Sequence, residues 1–142
     1  MGAEMNNVIK VHGAINNIPF RSQLEETCWN EWLPTIDHLS AYYEPVTLRM
    51  EGGNYTPDFA IVMPDMTLVY VEVKGSWKAR GGALSRKRLR QAADEYAWMG
   101  NFVAVLPAKT RRKAGKMIVT DWIIEKYGAW DGEMELETME SE

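Results

Sequence analysis

The stretch Thr67-Leu68-Val69-Tyr70-Val71-Glu72-Val73-Lys74-Gly75 carries the clearest strand signal in the chain. β-Branched, aromatic and aliphatic residues run unbroken from Leu68 to Val71, and a glycine closes the run. Alternate side chains of a strand share a face. Val71 and Val73 are therefore expected to enter the core together, and Glu72 and Lys74 to leave together on the other side. Upstream, Pro64-Asp65-Met66 reads as a turn and residues 59–63 as a second apolar strand. If the two strands pair as a hairpin, Asp58, directly after Pro57, comes near Glu72. Two carboxylates so close raise each other's pKa. A divalent cation relieves that repulsion, and Mg²⁺ prefers oxygen ligands. A lysine beside it can position an attacking water or help deprotonate it. The same residues also allow a plainer reading: Asp58 as a turn cap, and Glu72 with Lys74 as a surface ion pair of ~0–1 kcal/mol.

Further upstream, Ser22-Gln23-Leu24-Glu25 fits a helix capping box. Leu24, Cys28 and Trp32 follow at four-residue intervals as an inward stripe, and Pro34 predicts an end at Leu33. A further turn is expected over 36–39. Residues 42–50 read as a strand, bent or at an edge because of Pro45, and Gly52-Gly53-Asn54 as a turn. Downstream, Gly81-Gly82 opens a joint. Residues 84–99 predict a helix with Leu89, Ala92, Ala93, Tyr96 and Ala97 buried, Arg86, Lys87 and Arg90 toward solvent, and Gly100 as the stop. A strand over 102–106 closed by Pro107, a basic loop over 109–116, and a last helix over 121–127 capped by Thr120 complete the pattern. The fold class is α/β: a mixed central sheet of about four strands flanked by helices. The expected organisation is an arm or loop over 1–19, one domain over 20–130, and an acidic, disordered tail over 131–142.

At 142 residues the chain suits one domain, and its single cysteine, Cys28, rules out an intramolecular disulfide and a Cys-rich zinc site. No stretch approaches 18 uncharged apolar residues, and no secretory signal is seen, so no membrane partner is expected and a reducing cytoplasm is the expected compartment. The net charge of −4 conceals three blocks. Residues 1–73 hold 3 bases and 10 acids, residues 74–116 hold 12 bases and 2 acids, and residues 117–142 hold 1 base and 8 acids. Such asymmetry points to a polyanion-binding surface, or more blandly to a solvated charged face. The candidate cations are Lys78, Arg80, Arg86, Lys87, Arg88 and Arg90 after the central strand, and Lys109, Arg111, Arg112, Lys113 and Lys116 after the next. They are expected to flank one cleft and to contact phosphates without reading bases. Arg90 with Asp94 is also an ordinary i, i+4 helix pair. Trp29, Trp32, Trp98 and Trp122 read as core, and Trp77 as a candidate for stacking on a base. Cys28 reads as a buried thiol, and His12 and His38 receive no role. The acidic tail reads as a solubilising extension or as a competitor for the basic cleft.

Tyr55-Thr56-Pro57-Asp58-Phe59 followed by Val71-Glu72-Val73-Lys74-Gly75 resembles the PD-(D/E)XK nuclease superfamily, whose motif is an Asp after Pro, a hairpin spacer, then Glu-x-Lys. The resemblance extends to the phage endonuclease I family of Holliday-junction resolvases. Residues 20–26, 55–59, 72–77 and a closing helix over 120–128 are similar to that family's elements in order and approximate spacing. The resemblance implies a restriction-endonuclease-like core and a Mg²⁺-dependent endodeoxyribonuclease, with Mn²⁺ able to substitute. It implies metal ligation by Asp58 and Glu72, with the carbonyl of Val73 and Glu25 as further ligands. Glu25 matches the helix-borne catalytic glutamate, which the capping box also explains, and Glu26 is the fallback. Lys74 matches the catalytic lysine. Expected partners are branched DNA, such as a four-way junction, and a second copy of the chain in a homodimer with a strand swapped near 43–50. Hydrolysis would leave a 5′-phosphate and a 3′-hydroxyl, in a host cytoplasm if the gene belongs to a phage. The early Pro34, the long spacer between Asp58 and Glu72 and the acidic tail depart from the family pattern. Alternatives are the same core with another target, such as a transposase end-cutting subunit or a repair nuclease, and a non-catalytic DNA-binding protein on a nuclease fold.

Overall fold

A computed structural model describes residues 9–11 and 18–128. A short strand β1 (Ile9–Val11) precedes helix α1 (Gln23–Thr27), which runs on through a π-helical turn (Cys28–Trp32) and a 3-10 turn (Leu33–Thr35). Strands β2 (Ser40–Tyr43), β3 (Val46–Met50), β4 (Gly53–Tyr55), β5 (Phe59–Val62) and β6 (Leu68–Val73) follow. Helix α2 (Gly82–Glu95), a 3-10 turn (Ala97–Met99) and two long strands, β7 (Asn101–Lys113) and β8 (Lys116–Tyr127), complete the described chain. Residues 1–8, 12–17 and 129–142, hence most of the expected arm and all of the expected tail, lie outside the described residues. Among the described residues no helix is long and apolar enough to cross a membrane.

The class is mixed α/β, as expected, but the central sheet has five strands rather than about four, in the order β2-β5-β6-β7-β8. Only β6 and β7 run parallel, and α2 is the crossover that this requires. A second, antiparallel sheet has the order β1-β3-β4. The two sheets share one long bent hairpin, in which residues 40–50 fold back along 53–62. Its register is Leu48↔Tyr55 on one side of the bend and Tyr43↔Phe59 on the other, so the first limb carries one extra residue. Glu44, at φ 43°, and Pro45 occupy that bulge. Proline offers no N–H to a ladder, and a bulge is where a sheet tolerates it.

The central sheet is covered on both faces. Phe59, Ile61, Val69, Val71, Val73, Val103 and Val105 pack with Cys28, Trp32, Leu33 and Ile36 on the α1 side. Ala60, Tyr70, Phe102, Ala104 and Leu106 pack with Leu89, Ala92, Ala93 and Tyr96 on the α2 side. Val71 and Val73 face the core as expected, but the face carrying Glu72 is also covered, by α2.

Several expectations need correction. Residues 109–116 are not a loop and 121–127 are not a helix: both belong to the β7–β8 hairpin, paired out to Lys113↔Lys116. Val119, Thr120, Ile123, Ile124, Trp122 and Tyr127 suit a strand better than a helix, and β7 supplies the partner that makes it one. Ala114 and Gly115, both at positive φ, form its two-residue turn. The closing-helix element of the family resemblance is therefore absent. The turn expected over 52–54 is tighter, at Glu51-Gly52, with Met50 paired to Gly53. The 3-10 turn at Leu33–Thr35 replaces the turn expected over 36–39. Ala97 is exposed, because α2 ends at Glu95. Trp98, expected in the core, is 73% exposed.

Phe102 is fully buried and stacks on Tyr70 with ring centroids 5.0 Å apart. Phe102→Ala is expected to destabilise the fold by about 3–5 kcal/mol in urea denaturation. A loss under about 1 kcal/mol would contradict its place between sheet and α2.

Candidate active site

The β5–β6 hairpin fixes the site. Phe59 pairs with Val71, so one step further along the ladder Asp58 lies opposite Glu72. The main chain of Asp58 is held on both sides: its N–H donates to the Val71 carbonyl at 2.9 Å, and its carbonyl accepts from the Glu44 N–H at 2.7 Å. Pro57, fully buried, precedes it. The Asp58 Oδ2 accepts the Val73 N–H at 2.7 Å. Across the ladder, Glu72 Oε1 accepts the Tyr55 hydroxyl at 2.9 Å. Each carboxylate thus keeps a second oxygen outside these two bonds. Lys74 follows on the α2 side, where its Nζ donates to Ser85 Oγ in the first turns of α2 at 3.3 Å and its N–H to the Val105 carbonyl at 3.1 Å.

Glu25 approaches from α1. The Ser22 hydroxyl caps the helix by accepting the Glu25 N–H at 3.1 Å, as the capping pattern predicts. The Glu25 side chain is only 9% exposed, and its Oε1 accepts the Tyr43 hydroxyl at 2.7 Å. Its charge is felt by both Asp58 and Glu72. The cap uses only the Glu25 main-chain N–H, not the return bond of a full capping box, so the carboxylate is left to Tyr43 and the site, while Glu26, the fallback, is exposed. Tyr55, Tyr43 and Ser85, which hold Glu72, Glu25 and Lys74, were not singled out as partners from sequence. The signal for Tyr55 is its place inside the quoted motif; Tyr43 and Ser85 become neighbours only through tertiary packing.

Burial is the largest force on these acids. It pushes the Asp58 carboxyl well above the ordinary range, reinforced by the charges of Glu72 and Glu25 and partly offset by the Val73 N–H. Burial also raises Glu72 to about 7, against the pull of the Tyr55 hydroxyl and the Lys74 ammonium. The Tyr55 hydroxyl is held well up by its own burial and then by Glu72 and Asp58. Burial, then Asp58 and Glu25, push up the Cys28 thiol, leaving it a core side chain rather than a nucleophile.

Oxygen donors of this kind suit a hard cation. Among the described residues, no three His, Cys, Asp or Glu side chains form a group that could hold a metal ion. Mg²⁺ is usually held by only one or two carboxylates, keeping several waters, so the Asp58–Glu72 pair fits that habit without a closed cage.

The cationic residues divide. Lys78, Arg80, Lys87 and Arg90 are exposed. Arg86, expected in solvent, is half-buried over the Trp77 ring, 5.2 Å from its centroid. Its Nε donates to the Tyr127 hydroxyl at 2.8 Å, and it pairs with Glu125 at 3.3 Å. Trp77, expected to stack on a base, donates its indole N–H to Glu125 at 2.9 Å within the same cluster. Arg88 ties α2 to the β3–β4 turn through the carbonyls of Asn54 and Gly52. Lys109, Arg111, Arg112 and Lys113 are exposed on the β7–β8 hairpin. The expected single cleft is replaced by two concavities. Arg112, Lys113 and Lys116 line a groove of about 770 Å³ facing Gln23, Glu26 and Glu31. Arg86 and Arg90 line another of about 550 Å³ with Asp94, Glu125 and Tyr127. The hairpin tip leans toward α1, whereas Arg86 and Arg90 belong to α2 on the other face. His38 hydrogen-bonds the Ile36 carbonyl at 2.6 Å, and His12 lies outside the described residues.

The raised carboxyls set a pH dependence. A carboxyl whose folded pKa exceeds its unfolded value binds more protons when folded, so stability falls as pH rises between the two values, for Glu72 from 4.5 to about 7. The protein without divalent cations is expected to be more stable at pH 5 than at pH 8, by on the order of 1–3 kcal/mol. Asp58→Asn with Glu72→Gln should flatten that slope in thermal melts. A wild-type slope of the opposite sign would contradict the crowding of these acids.

No family model matches the chain, and no curated protein matches it.

Proposed function

We propose that the chain is a Mg²⁺-dependent endodeoxyribonuclease built on a restriction-endonuclease-like core, cutting branched DNA. One observation carries this reading: Asp58 and Glu72 lie opposite each other on paired strands, with Lys74 following on the Glu72 strand. Buried carboxylates that crowd each other destabilise a fold, so their presence at a sheet end favours a functional role. Asp58 and Glu72 would hold the cation, with the Val73 main chain and Glu25 beside them. Bound there, Mg²⁺ supplies charge against the phosphate oxygens and makes water a better nucleophile. Lys74 orients that water and offsets negative charge developing on the phosphate. Ser85 steadies the Lys74 ammonium, Tyr55 steadies Glu72, and Tyr43 steadies Glu25. Lys78 and Arg80 leave the same end of β6, where they can meet the flanking phosphates.

The four-way junction is the substrate to test first, because the quoted motifs favour it although the closing strand replaces the family's helix. Cutting two strands of a junction calls for a two-fold homodimer. In this chain β3 pairs with its own β1 and β4. A non-catalytic nucleic-acid-binding protein is the second reading, favoured by the exposed cations Lys109, Arg111, Arg112 and Lys113 on the β7–β8 hairpin, which would bind a polyanion whether or not Asp58 and Glu72 hold a metal.

The assay uses labelled four-way junction and matched linear duplex, with Mg²⁺ or EDTA. Wild type is expected to cut the junction only with Mg²⁺, and Lys74→Ala and Asp58→Asn to lower the rate about 10²–10⁴-fold. Cleavage of linear duplex at an equal rate would move the target to the broader nuclease class. No cutting of either DNA would leave the binding protein, and Lys74→Ala at wild-type rate would overturn the site.

A further inference from the structure

We propose that the β7–β8 hairpin is a DNA-gripping arm whose tip enters the major groove of a B-form duplex. This rests on the preceding reading only in taking DNA as the partner.

The ladder between β6 and β7 ends at Val73↔Val105, whereas β7 and β8 stay paired out to Lys113↔Lys116. Residues 107–122 therefore run beyond β6 as a two-stranded ribbon, its base held to the body by the buried Val119 and by Trp122, on the end of the sheet that carries Asp58, Glu72 and Lys74. At about 3.3 Å per residue the arm reaches roughly 20 Å. Register shifts at Pro107/Lys109 and Lys109/Thr110 lie at its base, where bulges bend a ribbon out of the parent sheet.

The arm carries Lys109, Arg111, Arg112, Lys113 and Lys116, with Asp121 at its base as its sole acid. Among the described residues none of these five cations forms an ion pair. Lys113 and Lys116 even stand directly opposite each other across the ladder. Like charges so placed destabilise a hairpin. Charge of either sign keeps an unpaired ribbon from aggregating, so that need does not explain why the tip is uniformly positive. A polyanion does explain it.

The shape selects the polyanion. A major groove about 12 Å wide admits a two-stranded ribbon, and a minor groove of about 6 Å does not. The deep, narrow major groove of A-form RNA excludes it as well. The approach is also set. The arm's inner side faces Glu26 and Glu31 across the groove of about 770 Å³. That acidic wall repels phosphate from the depth of the groove, so the duplex takes the arm tip-first, at the turn where Arg112, Lys113 and Lys116 stand.

The test measures binding of the full chain in EDTA, by fluorescence anisotropy across a salt series, so that cleavage plays no part. Wild type is compared with the combined substitutions Arg111→Gln, Arg112→Gln, Lys113→Gln and Lys116→Gln, and with Arg112→Gln alone. All four side chains are exposed, and unchanged thermal midpoints would show the fold intact. On a 30-base-pair DNA duplex the combined variant is expected to lose about 3–4 from the slope of log K against log salt, and the single variant about 1. Glucosylated hydroxymethylcytosine, which fills the major groove, should weaken wild type at least about tenfold and the combined variant little. Netropsin in the minor groove should leave both unchanged, and an RNA duplex should bind wild type more weakly. No binding of wild type to the DNA duplex, or an unchanged slope in the combined variant, would overturn the arm. A reduced slope without an effect of glucosylation would overturn groove entry. If these results hold while Mg²⁺ brings no cleavage, the arm stands and the nuclease reading fails.

Discussion

One register, Phe59 against Val71, holds the rest in place. It sets Asp58 across from Glu72 at the end of a ladder, and it is fixed from several sides. The Asp58 main chain bonds to Val71 and to Glu44, the buried Pro57 blocks further pairing behind it, and the bulge at Glu44-Pro45 absorbs the residue that would otherwise shift the hairpin. A slip of one residue would turn every side chain of the strand to the other face. Valines would then meet α2, and Glu72 would be driven into the apolar layer against Cys28 and Trp32. The fold tolerates the acid pair only because this register also gives each acid a donor, the Val73 N–H for Asp58 and the Tyr55 hydroxyl for Glu72.

That arrangement is costly for stability. Hydrogen bonds from neutral donors soften the burial of a carboxylate but do not cancel its repulsion with a neighbour. Lys74 is the cation whose charge acts on Glu72, and its ammonium is turned to Ser85 on α2. Replacing these groups by apolar ones of similar shape would relieve the strain, so packing does not account for them. The tyrosines share the pattern: each is buried, and each gives its hydroxyl to an acid of the site. The ring adds to the core while the hydroxyl reaches the acid, a division of labour that suits an amphipathic side chain.

What was legible in the chain was local. The alternation over 68–74, the turn after Met63, the Ser22 cap and the stripe of Leu89, Ala92, Ala93 and Tyr96 all depend on neighbours within a few residues, and all recur in the fold. What failed depended on distant partners. Thr120 followed by seven residues and a glycine satisfies the rules for a helix, yet the same residues are rich in strand formers, and pairing with β7 decides between them. The expected basic loop is half of that same pairing. Arg86 and Trp77 read as free because Glu125 and Tyr127, 39 to 48 residues from the side chains they bond, fall on an expected helix instead of on the strand beside them. A helix in place of β8 thus hides the partners of two site candidates and makes two basic surfaces look like one.

The charge blocks take on physical sense once β8 is a strand. The acid pair lies at the sheet end from which both the basic connection 74–81 and the arm depart. Under the proposed reading a polyanion drawn to those cations meets two acids whose burial favours their neutral form, and whatever charge they carry repels it. Attraction at the rim and repulsion at the centre cannot both be satisfied by protein groups alone, since Lys74 is a single charge facing two acids and Glu25. Under the proposed reading a divalent cation reverses the sign of the centre. A cation held by Asp58 and Glu72 would turn a centre that resists phosphate into one that accepts it, and so would govern close approach as well as chemistry.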